Sequence, residues 1–302
     1  MKKLPPFILS AALAGVAAIL TTGIASADNV FVVNNGGSSV SEISGGVVTP
    51  FITSDLNSPT GIAIASDGDF FVANNAGYVE EFSPTGAAIE QYSTGENNPR
   101  GITFDSAGNL YVAEQGNHDI LEIPVGGGPG TVVASGFSAI NDLAFDNGTL
   151  YVTDGGAGSI DAVSGGSITQ LVTGLSSPNG LAFDNAGHVF VVQHNSSTIS
   201  EYTTTGTVVD SSFITETGAQ GPKTLAIDSA GDFYITDNGD NTVTEYNAAG
   251  DLLATFSSST FNGPCFVATD IAVPEPSTYA LLLAGLGMIL FMSRRKAATV
   301  NV

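Results

Sequence analysis

Gly101-Ile102-Thr103-Phe104-Asp105-Ser106-Ala107-Gly108-Asn109-Leu110-Tyr111-Val112-Ala113-Glu114 is the stretch that decides the fold. Two short apolar runs flank Asp105-Ser106-Ala107-Gly108. Asp bonds its own backbone and Gly takes positive φ, so the four residues read as a tight turn between two strands. Asp184-Asn185-Ala186-Gly187 and Asp228-Ser229-Ala230-Gly231 repeat it. The second apolar run recurs with starts at Val30, Phe70, Leu110, Leu150, Val189 and Phe233, spaced 40, 40, 40, 39 and 44 residues apart. A third run follows, visible as Tyr78-Val79-Glu80-Glu81-Phe82 and Thr242-Val243-Thr244-Glu245-Tyr246. β-Branched and aromatic residues dominate, apolar and polar positions alternate, and no helical period appears. Each unit reads as strands a, b, c and d. Six four-stranded units of about 40 residues predict an all-β, six-bladed β-propeller.

The first unit lacks an a-strand. The missing piece stands at the other end as Pro264-Cys265-Phe266-Val267-Ala268-Thr269-Asp270. It is expected to pair with Val30–Val33 and close the ring, which removes an exposed edge.

Composition bounds the function. The chain has 302 residues, with 29 acids against seven Lys and Arg, a net charge of −22. Five of those cations lie near the termini, so the stretch from Asp28 to Val273 keeps only Arg100 and Lys223. Such a surface excludes nucleic acid as a partner, because phosphate binding needs clustered cations. One cysteine, Cys265, and three histidines, His118, His188 and His194, leave no Cys- or His-rich metal site. The Asp-x-x-Gly turns lack the closely spaced carboxylates of a calcium loop. No metal or other cofactor is expected. His118 and His194 fall in b–c loops and read as solvated. Trp is absent, which argues against WD-type repeats.

The two ends read as addresses. Met1-Lys2-Lys3, an apolar run from Phe7 to Ile24, and Ala25-Ser26-Ala27 form a secretory signal cleaved after Ala27. Residues 28–272 form the propeller, and 273–302 a sorting segment with a transmembrane helix. In that segment Pro274-Glu275-Pro276 precedes an apolar run from Tyr279 to Met292 and the basic triplet Arg294-Arg295-Lys296. The basic end is expected on the cytoplasmic side. The three-part pattern resembles the PEP-CTERM sorting signal of Gram-negative bacteria. That resemblance implies transient inner-membrane anchoring, cutting by an exosortase-like protease near Pro274-Glu275-Pro276, and export to the envelope or cell surface. Signal peptidase and that protease are the processing partners expected; a polysaccharide or envelope protein is the expected binding partner.

The repeat, Pro-x-Gly-Ile/Leu-Ala-x-Asp-x-x-Gly-x-Leu-Tyr-Val-x-Asp, resembles the NHL repeat and the gluconolactonase-like propellers. A propeller ligand is usually held at the mouth, where a-strands start and b-strands end. The a-starts are Thr60, Arg100, Asn141, Asn179, Lys223 and Cys265; the candidate ligand-binding set is Thr60, Arg100, Asn141, Asp142, Asp154, Asn179 and Lys223. The gluconolactonase resemblance implies a divalent metal there. Asn141 and Asn179 match two of its ligand positions, but Lys223 stands where the resemblance places Asp, and Thr60 where it places Glu. A Lys ammonium cannot ligate a cation. Resemblance to streptogramin lyases implies a catalytic His at the mouth, and no a-start is His. The expectation is therefore a non-catalytic binding module, with a divergent gluconolactonase- or lyase-like hydrolase as the alternative. Arg100 and Lys223 stand three blades apart, facing each other across the mouth. Cross-strand ion pairs Arg100–Glu114 and Lys223–Asp237 are expected to neutralise them, which suits a neutral ligand such as a sugar; without those pairs the two cations would form an anion site.

Overall fold

In a computed structural model of the chain, residues 29–95, 98–216 and 221–270 are described. The expectations for the signal, its cleavage site Ala27 and the C-terminal span fall outside them.

The described chain forms six four-stranded antiparallel sheets. Blade 1 comprises β1 (Val30–Asn34), β2 (Ser39–Ser44) and β3 (Val47–Ile52). Blade 2 follows with β4 (Pro59–Ile64), β5 (Phe70–Asn74), β6 (Tyr78–Phe82) and β7 (Ala88–Ser93). Blade 3 holds β8 (Pro99–Phe104), β9 (Leu110–Glu114), β10 (Asp119–Ile123) and β11 (Thr131–Ser135). In blade 4 come β12 (Ile140–Asp146), β13 (Thr149–Asp154), β14 (Ser159–Ser164) and β15 (Ser167–Thr173). Blade 5 has β16 (Pro178–Phe183), β17 (His188–Gln193), β18 (Thr198–Thr203) and β19 (Val208–Thr215). Blade 6 has β20 (Pro222–Ile227), β21 (Phe233–Asp237), β22 (Thr242–Tyr246) and β23 (Leu252–Ser257). The last strand, β24 (Pro264–Thr269), pairs antiparallel with β1 as the inner strand of blade 1. Val30 faces Thr269 and Val32 faces Val267, so both ends of the domain close one blade.

Packing explains the continuous apolar b-strands. Val30 and Val32 face blade 6, in a core with Tyr234 and Val243; Phe31 and Val33 face blade 2, in a core with Ile62 and Phe70. A strand buried on both faces has no solvent side on which to place polar residues. Each of the six blade interfaces carries one such core. Phe31, Phe51 and Phe70 fill one with ring centroids 4.5–4.9 Å apart. Outer strands such as Ala88–Ser93 are mostly exposed.

The turns behave as their residues dictate. Asp105, Asp184 and Asp228 each use Oδ1 to accept the N–H groups two and four residues on, at 2.8–2.9 Å. Gly108, Gly187 and Gly231 then take φ of 82–87°.

Candidate functional site at the propeller mouth

The inner strands enter from the mouth, five of them beginning with proline. Pro99 lies opposite Glu114 and Pro222 opposite Asp237, and the register shifts immediately after. The same offset sets Pro59 against Asn74, Pro178 against Gln193 and Pro264 against Asn34. The a-start residue therefore sits in a bulge, out of step with the b-end it was expected to face. Bulges re-aim side chains in this way.

The b-end side chains turn away from the mouth and hold loops. Asp154 is buried and accepts four N–H groups, from Ser138, Ala139, Gly156 and Ala157 at 2.6–3.0 Å. Asn74 accepts from Asn57 and Gln193 from Ser176. Asp237 accepts from Gly239 and Asp240. Glu114 is 1% exposed. Among the described residues neither Arg100–Glu114 nor Lys223–Asp237 reaches the expected ion-pair distance, although Asp237 still acts on Lys223 electrostatically. Ion-pair distances among the described residues belong to His188, with Asp184 at 3.5 Å and Glu201 at 2.8 Å.

Arg100 is held by a neutral group instead. Its Nε and Nη2 donate to Gln115 Oε1 at 3.1 and 2.9 Å, and Asn98 Nδ2 donates to the same oxygen at 2.6 Å. Gln115 Nε2 donates onward to Ile140 O and Asn141 Oδ1. Lys223 makes no side-chain hydrogen bond or ion pair with the described protein. Burial lowers its pKa and the charge of Arg100 lowers it further, while Cys265 and Asp237 act the other way. Arg100 is likewise lowered by burial.

Both cations line one cavity of about 240 Å³ at the mouth. Thr60, Asn179 and Cys265 line it with them, as do Asn35, Asn75, Asn98, Asn238 and Phe266. No carboxylate is among the described lining residues. Thr60 donates to Pro99 O at 2.6 Å. Burial pushes the Cys265 thiol up to about 12 despite both cations, and Sγ lies 3.6 Å from Val33 O and Pro59 O, so it stands as a neutral thiol. Asn141, Asp142 and Asp154 do not line the cavity. Asn141 donates to Pro178 O at 2.9 Å. Asp142 is buried below the mouth, where it accepts from Leu143 and Leu181.

The residues that follow the b-strands are Asn35, Asn75, Gln115, Gly155, His194 and Asn238. Of these, sequence reasoning singles out only His194, as a loop residue. Asn35 donates to Pro59 O and Gln115 to Ile140 O, each reaching the inner strand of the next blade. His194 does the same: its Nδ1 lies 3.0 Å from Pro222 O, just before Lys223. It is half-buried rather than a solvated loop residue. A carbonyl only accepts, so this contact needs a hydrogen on Nδ1, and in the neutral ring the lone pair is then on Nε2. His118 is exposed, as expected. The signal for His194 was its column in the repeat, where amides recur.

A divalent cation does not fit this mouth. Arg100 and Lys223 line it, Thr60 spends its hydroxyl on Pro99 O, and Asn141 is engaged by Gln115 and Pro178. A larger cavity, about 510 Å³, lies between blades 2 and 3 at the opposite end, beside Asp67, Phe71, Tyr92 and Asp105. Its carboxylates are used locally: Glu81 accepts from Tyr92, and Asp105 holds its own turn.

Comparison with known proteins follows this geometry. A family model for the PEP-CTERM protein-sorting motif matches residues 272–296, which supports exosortase-linked processing and a cell-envelope or extracellular location. No curated protein sequence matches the chain. Among solved structures, a nidogen/laminin complex is similar at 17% identity and TM-score 0.70, covering 81% of this chain and 99% of that one. A virginiamycin B lyase from Staphylococcus aureus is similar at 18% identity and TM-score 0.62, covering 83% and 93%. A protein assigned as a gluconolactonase is similar at 14% identity and TM-score 0.60, covering 68% and 79%. The expectation of a non-catalytic module is thereby overturned as a starting point, because structures of this fold include lyases and a protein assigned as a gluconolactonase. At these identities the likeness shows the fold: a six-bladed propeller shared by matrix-binding proteins and enzymes, joined here to a PEP-CTERM sorting motif.

Proposed function

We propose that the chain is an exported, metal-independent enzyme of lyase type, with its site at the propeller mouth. One observation carries the reading: Arg100 and Lys223 line the same cavity with no carboxylate among its described lining residues, and His194, whose Nδ1 lies 3.0 Å from Pro222 O, stands next to the Lys223 strand start. Preorganised cations in a part-buried cavity stabilise negative charge as it develops. The Nε2 lone pair of His194 is a general base.

In the proposed step, His194 Nε2 takes a proton from a carbon next to a carbonyl. The C–H electron pair becomes a carbon–carbon double bond as the C–O bond on the neighbouring carbon breaks. The leaving oxygen takes the proton back from the imidazolium. Arg100 and Lys223 meet the charge that develops on the carbonyl oxygen. Solved structures of similar fold include a virginiamycin B lyase and a streptogramin B lyase, and the residues named are this chain's own.

The test is turnover of uronate oligomers, lactones and cyclic esters, read by ultraviolet absorbance of the new double bond, with and without EDTA. Activity should survive EDTA and fall about 100-fold or more in His194→Ala. An absence of product across the panel, or a full rate in His194→Ala, would overturn the proposal.

A further inference from the structure

We infer that the mouth recognises a single acidic sugar, with its carboxylate held between Arg100 and Lys223. This rests on reading the mouth as the working site, and it names the substrate class.

The cations are placed but not satisfied. Two bonds to Gln115 fix the Arg100 guanidinium through Nε and Nη2. Both Nη1 hydrogens and one on Nη2 make no bond to the described protein. Lys223 contributes three more donors from the other side of the ring. A guanidinium held on one edge by a neutral acceptor is prepared for a planar anion on its other edge.

The rest of the lining suits hydroxyls. The side-chain amides of Asn75, Asn179 and Asn238 line the cavity and make no hydrogen bond to the described protein. Each offers two donors and an acceptor, which matches vicinal hydroxyls. Phe266 adds an apolar surface for the face of a ring. The volume, about 240 Å³, falls below that of drug-sized pockets, so one ring or one chain end fits.

Charge selects against a longer polyanion. Between Asp28 and Val273 two basic residues stand against 28 acids. A polyuronate lying across that surface meets repulsion, whereas a single acidic ring or chain end at the mouth meets the two cations that line it.

The experiment is calorimetric titration of the full chain with galacturonate and with its methyl ester, which has the same ring and hydroxyls but no charge. Galacturonate should bind at least tenfold more tightly than the ester. Arg100→Gln and Lys223→Met should each cost tenfold or more in galacturonate affinity. Lys223 makes no side-chain hydrogen bond to the described residues, so Lys223→Met should stay close to the wild-type melting temperature and report binding even if Arg100→Gln disturbs folding. Equal affinity for acid and ester, or undiminished affinity in Lys223→Met, would overturn the inference. Binding is read without turnover: galacturonate binding with no elimination product across the substrate panel sinks the lyase reading and keeps the site, whereas elimination with equal binding of the ester does the reverse.

Discussion

Replacing Asp142 with Asn should reshape how stability depends on pH. The carboxyl lies where blades 3, 4 and 5 meet at the inner ring. Its Oδ1 sits 2.2 Å from where a Cβ on Gly101 would stand, and Leu143 and Leu181 donate to its two oxygens at 2.9 and 3.1 Å. Burial pushes it from 3.8 up to about 7, with the two N–H bonds pulling the other way. In the unfolded chain it releases its proton near 3.8; in the folded chain it keeps the proton to about 7. The native state thus binds more protons across that window, and stability falls as pH rises through it. The contribution is fully present below the unfolded value and gone above the folded one. One pH unit is worth about 1.4 kcal/mol, so a window of roughly three units removes about 4 kcal/mol. Asn does not titrate, but its NH₂ must face one of the two N–H donors, at a cost of about 1–3 kcal/mol. Urea unfolding from about pH 4 to about pH 8 should show Asp142→Asn less stable than wild type in acid. The gap should narrow or reverse near pH 8. Parallel curves would refute the reasoning.

Gly101→Ala should destabilise by about 1–3 kcal/mol or more in thermal unfolding, because its Cβ would lie 2.7 Å from Asp142 Cα and backbone cannot step aside cheaply. Asp154→Ala leaves four N–H groups without their acceptor and should cost at least about 2 kcal/mol by urea unfolding; unchanged stability would contradict its role as a loop holder. Val267→Asp puts a charge into the core between blades 6 and 1 and should open the ring, read as unfolding or oligomers in sedimentation; a stable monomer would count against closure through β24.

The propeller was legible because its evidence is periodic. Val30-Phe31-Val32-Val33 and its five counterparts need burial on both faces, and the a-type segment left over at Pro264 had one open place to go. The mouth was legible only in part. Counting 14 residues from Arg100 to Glu114 assumes an unbroken ladder, and the bulge after each opening proline breaks it. Glu114 and Asp237 therefore face prolines, and Gln115, one residue on, holds Arg100. His194 read as a loop residue because its partner, Pro222 O, belongs to the next blade, and that contact exists only once the ring is closed. Asn141, Asp142 and Asp154 were chosen by position, but backbone N–H groups and neighbouring blades claim their polar atoms.

The central claim is that the mouth presents two cations, with no carboxylate among its described lining residues, to an anionic substrate. Lys223 is the one lysine between Asp28 and Val273, so its NMR signal in the full chain can be assigned by its loss in Lys223→Met. The account predicts that the Lys223 amine titrates below the ordinary lysine value of 10.5 in the free protein. Saturation with galacturonate should move it upward, because a bound carboxylate favours the charged form. The methyl ester should leave it where it was. A Lys223 that titrates at the ordinary value and ignores galacturonate would contradict the account.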